Sequence, residues 1–153
     1  MELKEMIMDA TLDEFNEKSL KFTMDDVAKR LQISKKTIYT VFPDKETLFL
    51  ETVDYCFVAI KEEERRILEI KDLDIVEKIK KILIVLPERQ KSIDWRQIHT
   101  TKEKFPKIFE KIEKRIETEW DSTIELLQEG IRIGRLKPIS IPVFKIIVEN
   151  FKG

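Results

Sequence analysis

Apolar residues recur at helical spacing along most of the chain, and the places where that rhythm fails mark the element boundaries. Leu3, Met6, Ile7, Ala10 and Phe15 form one stripe, which predicts a helix from Leu3 to Lys18. Ser19 to Phe22 interrupt it. Thr23 then precedes Met24-Asp25-Asp26, an N-cap with an acid at the third helical position, a variant of the capping box. The short helix opened there turns Val27, Ala28 and Leu31 inward. After Gln32-Ile33, Ser34 is a second N-cap and opens another short helix through Ile38, Val41 and Phe42. Pro43 stops it, because proline disfavours helix at the residue before it. Asp44 caps a longer helix, whose stripe of Leu48, Phe49, Thr52, Cys56 and Ile60 predicts a run to about residue 70.

The second half keeps the same period. Asp72 or Asp74 caps a helix carrying Val76, Ile79, Ile82, Leu83 and Leu86, closed by Pro87. Residues 88–101 are the least periodic and contain Trp95 and His99. From Phe105 through Ile108, Phe109, Ile112, Ile116, Trp120, Ile124 and Leu127 to Ile131 the spacing predicts one helix of about seven turns, roughly 40 Å. Gly130 and Gly134 loosen its end, Pro138 and Pro142 bracket a linker, and Val143 to Phe151 is apolar on several sides.

Composition narrows the class. With 42% hydrophobic and 39% charged residues in 153, the chain has a core to bury and a solvated surface, which excludes disorder by composition. That length fits one domain or two small helical subdomains. Only 3 Gly and 5 Pro argue against a turn-dense β architecture and against glycine-rich phosphate loops. Cys56 is the sole cysteine, so no internal disulfide or multi-cysteine zinc site can form; on its apolar stripe it reads as a small buried hydrophobe. The longest apolar run, Tyr55 to Ile60, is far short of a membrane span, and Met1-Glu2-Leu3-Lys4-Glu5 lacks the blocks of a signal peptide. The expectation is an all-α, cytoplasmic protein with no membrane partner.

Charge is balanced overall, 29 Lys+Arg against 30 Asp+Glu, but segregated locally. Residues 29–45 hold Lys29, Arg30, Lys35, Lys36 and Lys45 against Asp44 alone, whereas residues 1–28 have three lysines against eight acids. Two short helices with a tight turn between them, the second basic and hydroxyl-rich, have the form of a DNA-reading helix-turn-helix. Val27, Ala28, Leu31, Ile33, Ile38 and Val41 supply the crossing, and Lys35, Lys36, Thr37, Tyr39 and Thr40 point donors outward, suited to phosphates and base edges. Any pair of short helices shares this spacing, so a helical protein–protein or small-molecule binding module with a vestigial helix-turn-helix stays open beside DNA binding. No glycine-rich nucleotide motif, nucleophile elbow or histidine pair is present, so no catalytic residue, cofactor or metal site is expected.

Four blocks carry more than a template: Ile7-Met8-Asp9-Ala10 with Phe15, Thr23-Met24-Asp25-Asp26-Val27-Ala28, Ile33-Ser34-Lys35-Lys36-Thr37-Ile38-Tyr39, and Phe42-Pro43-Asp44-Lys45-Glu46-Thr47-Leu48-Phe49. In order and spacing they resemble the TetR family of transcriptional regulators, with a weaker echo at Glu129-Gly130-Ile131 through Gly134-Arg135-Leu136-Lys137-Pro138. The resemblance implies an N-terminal three-helix DNA-binding head, residues 1–47, and a helical effector-binding and dimerisation body, residues 48–153. It implies a homodimeric repressor on a palindromic double-stranded operator, released by a small molecule. By position, Thr23 would bond a phosphate, Ser34 would open the recognition helix, Lys35, Lys36, Thr37 and Thr40 would lie in or beside the major groove, and Tyr39 and Lys45 would hold backbone phosphates. Tyr55, Trp95, His99, Phe105, Phe109 and Trp120 are candidates for an apolar effector pocket. Three departures stand out. Gln32 occupies a turn position where the family often has glycine, and Lys36 stands where it usually has a small residue. The chain also ends where the family normally continues with two further helices, which implies a short member or a truncated chain.

Overall fold

Local capping chemistry and a shared aromatic core build the N-terminal third. In the computed structural model, described from Met1 to Lys152, α1 (Leu3–Lys18) has the predicted bounds. Its buried face is broader than the stripe: Met8, Thr11 and Leu12 join Ile7, Ala10 and Phe15, because both α2 (Met24–Leu31) and α4 (Lys45–Leu68) cover it, while Leu3 and Met6 stay exposed. A 3-10 turn, Ser19–Lys21, separates α1 from α2 and seats Leu20 and Phe22 in the interior. The next helix, α3, is short, Lys35–Tyr39, and Ile38 plugs it into the core with no exposed surface.

Phe15, Phe22 and Phe49 pack with ring centroids 5.2 and 6.3 Å apart and fix α1, the 3-10 turn and α4 to one another. The same cluster continues without a break into Val53, Cys56, Ile93 and Ile112. Residues 47 and 48 both lie in the first turn of α4, so one core spans the division between head and body.

The body comprises α5 (Ile75–Ile84), α6 (Gln97–Lys104), α7 (Pro106–Thr118), α8 (Asp121–Arg132) and α9 (Ile141–Lys152). Three boundaries differ from the sequence pattern. Helix α5 stops before Leu86, since Val85 is already extended ahead of Pro87. The aperiodic stretch 88–101 contains a 3-10 turn, Glu88–Gln90, and most of α6. The single seven-turn helix is two helices. Helix α7 ends where the Glu119 carbonyl, which would accept an intrahelical bond from residue 123, instead accepts from the Lys61 ammonium of α4 at 3.1 Å. Both sides of the break remain apolar on the inner face, so periodicity alone carries no trace of it.

Helix α8 ends in a Schellman arrangement: Gly134 N–H donates to the Ile131 carbonyl and Arg135 N–H to that of Gly130, with Gly134 at φ +79°. Arg135 then grips Asp74 at the start of α5 through two bonds of 2.8 and 2.9 Å. Pro142 sits in the first turn of α9, where its missing N–H leaves nothing unsatisfied.

Candidate nucleic-acid interface

The helix-turn-helix is assembled by three side-chain caps in 22 residues of chain. Thr23 Oγ1 accepts from the Asp26 N–H at 3.1 Å while Asp26 accepts from the Thr23 N–H at 2.9 Å, a closed capping box. This bond and the Lys18 ammonium hold the Asp26 carboxyl below its usual range. The Ser34 Oγ accepts from the Thr37 N–H at 3.0 Å, and Asp44 accepts from the Thr47 N–H at 2.7 Å. Between α2 and α3, Gln32 takes the left-handed conformation, φ 57° and ψ 41°. The Gln32 N–H then reaches the Lys29 carbonyl and the Ile33 N–H that of Ala28, the same closure found at Gly134 but made by a residue with a Cβ.

Electrostatics separate the outward lysines from the rest of the head. Arg30 is held between Glu14 and Glu17 at 3.1 and 2.8 Å, Lys18 between Glu14 and Asp26, Lys29 by Asp25, and Lys4 by Glu51. Glu14 is itself 5% exposed, so its pairing with Arg30 and Lys18 is what permits an acid on the inner face of α1. Among the described residues of the head, Lys21, Lys35 and Lys36 have no acidic partner, and all three are exposed. The segregation of charge in the sequence therefore becomes cancellation for four cations and free charge on α3 and the 3-10 turn. Lys21 was not singled out by the sequence pattern, because its lack of a partner arises only once α1 and α2 have paired their own charges.

The candidate DNA-contacting residues differ in exposure and in freedom. Lys35, Lys36, Tyr39 and Thr40 are exposed, and Tyr39 keeps 46% of its surface in solvent. Thr37 is half-buried, its hydroxyl 2.8 Å from that of Ser34, and the Thr40 hydroxyl donates to the Thr37 carbonyl. Thr23 uses its oxygen as a cap acceptor, which leaves its hydroxyl hydrogen for an outside acceptor. Lys45 departs from the expectation. Its ammonium is turned inward, donating to the Leu20 carbonyl and lying 4.5 Å from the centroid of Phe22, and burial pushes its pKa down. In this arrangement it pins the 3-10 turn to α4, and a phosphate contact requires the side chain to swing out.

The aromatic candidates of the body are more scattered. Trp95 packs 6.5 Å from Phe15, with its indole N–H buried and unpartnered, and His99 is exposed 6.5 Å from Phe109. Phe105 lines an open cleft of about 620 Å³ between the 3-10 turn and α6–α7. Tyr55 is half-buried on α4, its phenol pKa raised by burial and by nearby Asp9. Trp120 lies apart and donates to Glu149 of α9 at 3.1 Å. Cys56 is 3% exposed, and burial pushes its thiol up to about 12, so it packs rather than reacts.

Residues 7–52 match the profile of the bacterial regulatory proteins of the tetR family. An uncharacterised HTH-type transcriptional regulator of Bacillus subtilis, YvaF, is 28% identical over 138 residues, covering 90% of this chain and 73% of that protein. A proposed fatty acid metabolism regulator from Clostridium perfringens superposes with a TM-score of 0.78 at 17% identity, over 96% of this chain and 81% of that one. A TetR family regulator from Thermus thermophilus, PfmR, superposes with a TM-score of 0.73 at 16% identity, over 99% and 83% of the two chains. Among the described residues, no helix is long and apolar enough to cross a membrane.

Proposed function

We propose that this chain, a member of the TetR family of transcriptional regulators, is a cytoplasmic repressor that binds a palindromic operator as a homodimer and leaves it when a small molecule enters the body. Residues 1–47 are the reading head and residues 48–153 the effector and dimer body. Lys35 and Lys36 enter the major groove with Thr37 and Thr40, while Thr23, Ser34 and Tyr39 donate to the phosphates on either side. Lys45 joins them by exchanging the Leu20 carbonyl for a phosphate oxygen. The observation that carries this reading is that Lys35 and Lys36, alone on the recognition helix, are exposed and unpaired while the other cations of α1 and α2 are neutralised by acids within the fold.

Helix α4 supplies the coupling. It starts in the head, runs 24 residues, and packs against α1 of the head and against α5 and α7 of the body. An effector lodged near Trp95, His99, Phe105 and Phe109 tilts it, and the two recognition helices no longer match major grooves about 34 Å apart. Apolar side chains dominate that region, which favours an apolar or amphipathic effector.

Selection from a random duplex pool at about 150 mM salt, where purely electrostatic binding weakens, tests the reading. An enriched inverted repeat is expected, and Lys36→Gln lowers affinity for it by roughly tenfold or more, the loss of one good base-edge contact. Absence of enrichment at any salt overturns DNA binding by this chain.

A further inference from the structure

We infer that the DNA-binding surface does not end with the head: Lys21 of the 3-10 turn and Lys104 at the end of α6, on the body, form a second clamp for the phosphate backbone of the same duplex. This rests on the DNA-binding reading of the head and extends it to a part of the chain outside the helix-turn-helix. Three observations meet at the cleft of about 620 Å³ between Ser19–Lys21 and the α6–α7 junction, which Lys21 and Lys104 both line together with Ser19 and Thr100.

The first is charge. Both lysines are exposed and neither has an acidic partner, whereas the other charges at the cleft are already matched: Glu17 by Arg30, and Lys18 by Asp26 and Glu14. The cleft therefore carries uncompensated positive charge, and Lys107, the second residue of α7 and two beyond the lining Phe105, is a further exposed, unpaired ammonium. The second is position. Lys21 is two residues before Thr23, the cap residue that opens α2, so the wall of the cleft runs directly into the first phosphate-contacting residue of the proposed head. The third is rigidity. The two walls are tied by polar bonds: Gln97 of α6 donates to the Asn16 carbonyl at 2.7 Å and accepts from the Ser19 hydroxyl. Asn16 also accepts from the Asp94 N–H at 2.7 Å and donates to the Ser92 carbonyl at 3.1 Å. The two walls that carry the cations are thus held together. A polyanion with regularly spaced charges fits such a pair; an isolated small anion gains little from two exposed ammoniums.

The consequence is regulatory as well as additive. Because Lys104 sits on the body, any effector-driven shift of α6 changes the clamp directly, independently of the tilt of α4.

Fluorescence anisotropy of the full chain on a labelled, mixed-sequence 40-base-pair duplex across a salt series tests this without knowledge of the operator. Each lost phosphate contact lowers the log–log salt slope by about 0.9. For Lys21→Gln/Lys104→Gln the slope is expected to fall by about two units, with Lys21→Arg/Lys104→Arg retaining it and the melting temperature unchanged in both. Lys35→Gln/Lys36→Gln is the separate probe of the head. A normal slope in the first variant with a reduced slope in the last overturns the clamp and leaves the head reading intact. A wild-type chain with no salt-dependent binding overturns both.

Discussion

Gln32 and Gly134 perform the same backbone task with opposite economy. Each ends a helix in the left-handed region with the same pair of hydrogen bonds, but only Gly134 does so without a Cβ to crowd the following carbonyl. Left-handed backbone costs an ordinary residue about 1–2 kcal/mol, and glycine's greater freedom in the unfolded chain returns part of that. Gln32→Gly is therefore expected to stabilise the protein by roughly 0.5–1 kcal/mol, raising its melting temperature by a few degrees. Gly134→Ala should destabilise by about 1 kcal/mol. Urea titration of the two variants checks both signs, and a destabilised Gln32→Gly would mean that the Gln32 side chain holds something its backbone does not. Caps and turns of this kind are legible in a sequence because donor and acceptor lie within five residues of each other. Lys45 is the contrary case. Nothing near it in the chain reveals that its ammonium will find the Leu20 carbonyl and the Phe22 ring, more than twenty residues upstream, before any phosphate.

Elements show the same division between local and distant causes. The start of α4 was readable from Asp44 and Pro43, whereas the break between α7 and α8 was not, since the group that interrupts it, Lys61, belongs to another helix. The cap at Asp44 also makes the head–body helix sensitive to acid. The Thr47 N–H bonded to its carboxylate holds the Asp44 pKa below the ordinary 3.8, so the folded state favours the ionised form. Stability from this cap is complete above that ordinary value and is lost as pH falls through the depressed one. Asparagine caps about as well as aspartate but does not titrate. Asp44→Asn is accordingly expected to match the wild type in urea at pH 7 and to lose less stability than it between about pH 5 and pH 2.5. The decline should persist in part, because Asp26, Asp74, Asp94 and Glu129 are held low as well, by a capping N–H for the first and by arginine partners for the others. Identical acid profiles for the two proteins would show that the cap at α4 does not contribute to acid sensitivity.

For the molecule as a whole, the unresolved balance of apolar surface lies on α9. Its inner side is tied down by polar contacts: Trp120 donates to Glu149, and Lys145 pairs with Glu117 while its ammonium lies 5.7 Å from the Trp120 ring. Its outer side leaves Val143, Ile146 and Ile147 more than half exposed at i, i+3 and i+4 spacing, with Ile139 just ahead of them at 41%. Three β-branched residues in a row on one helical face, in water, are a surface that association would bury. The sequence made α9 visible as apolar on several sides, yet the direction of its free face follows only from which side Trp120 and Glu117 occupy. A homodimer formed through this face would satisfy the two-fold rule that each patch meets its own copy, and would carry the two heads that the proposed binding to an inverted repeat requires. Ile147→Lys, which puts a charge at the centre of that face without touching the core, is expected to convert a dimer into a folded monomer in sedimentation at micromolar concentration. The same variant should keep salt-dependent binding to duplex DNA while losing most of the preference for an inverted repeat over a single half-site, since the second head then binds as a separate molecule. A dimer that survives Ile147→Lys unchanged would move the interface to another surface, and with it the spacing the two recognition helices must span.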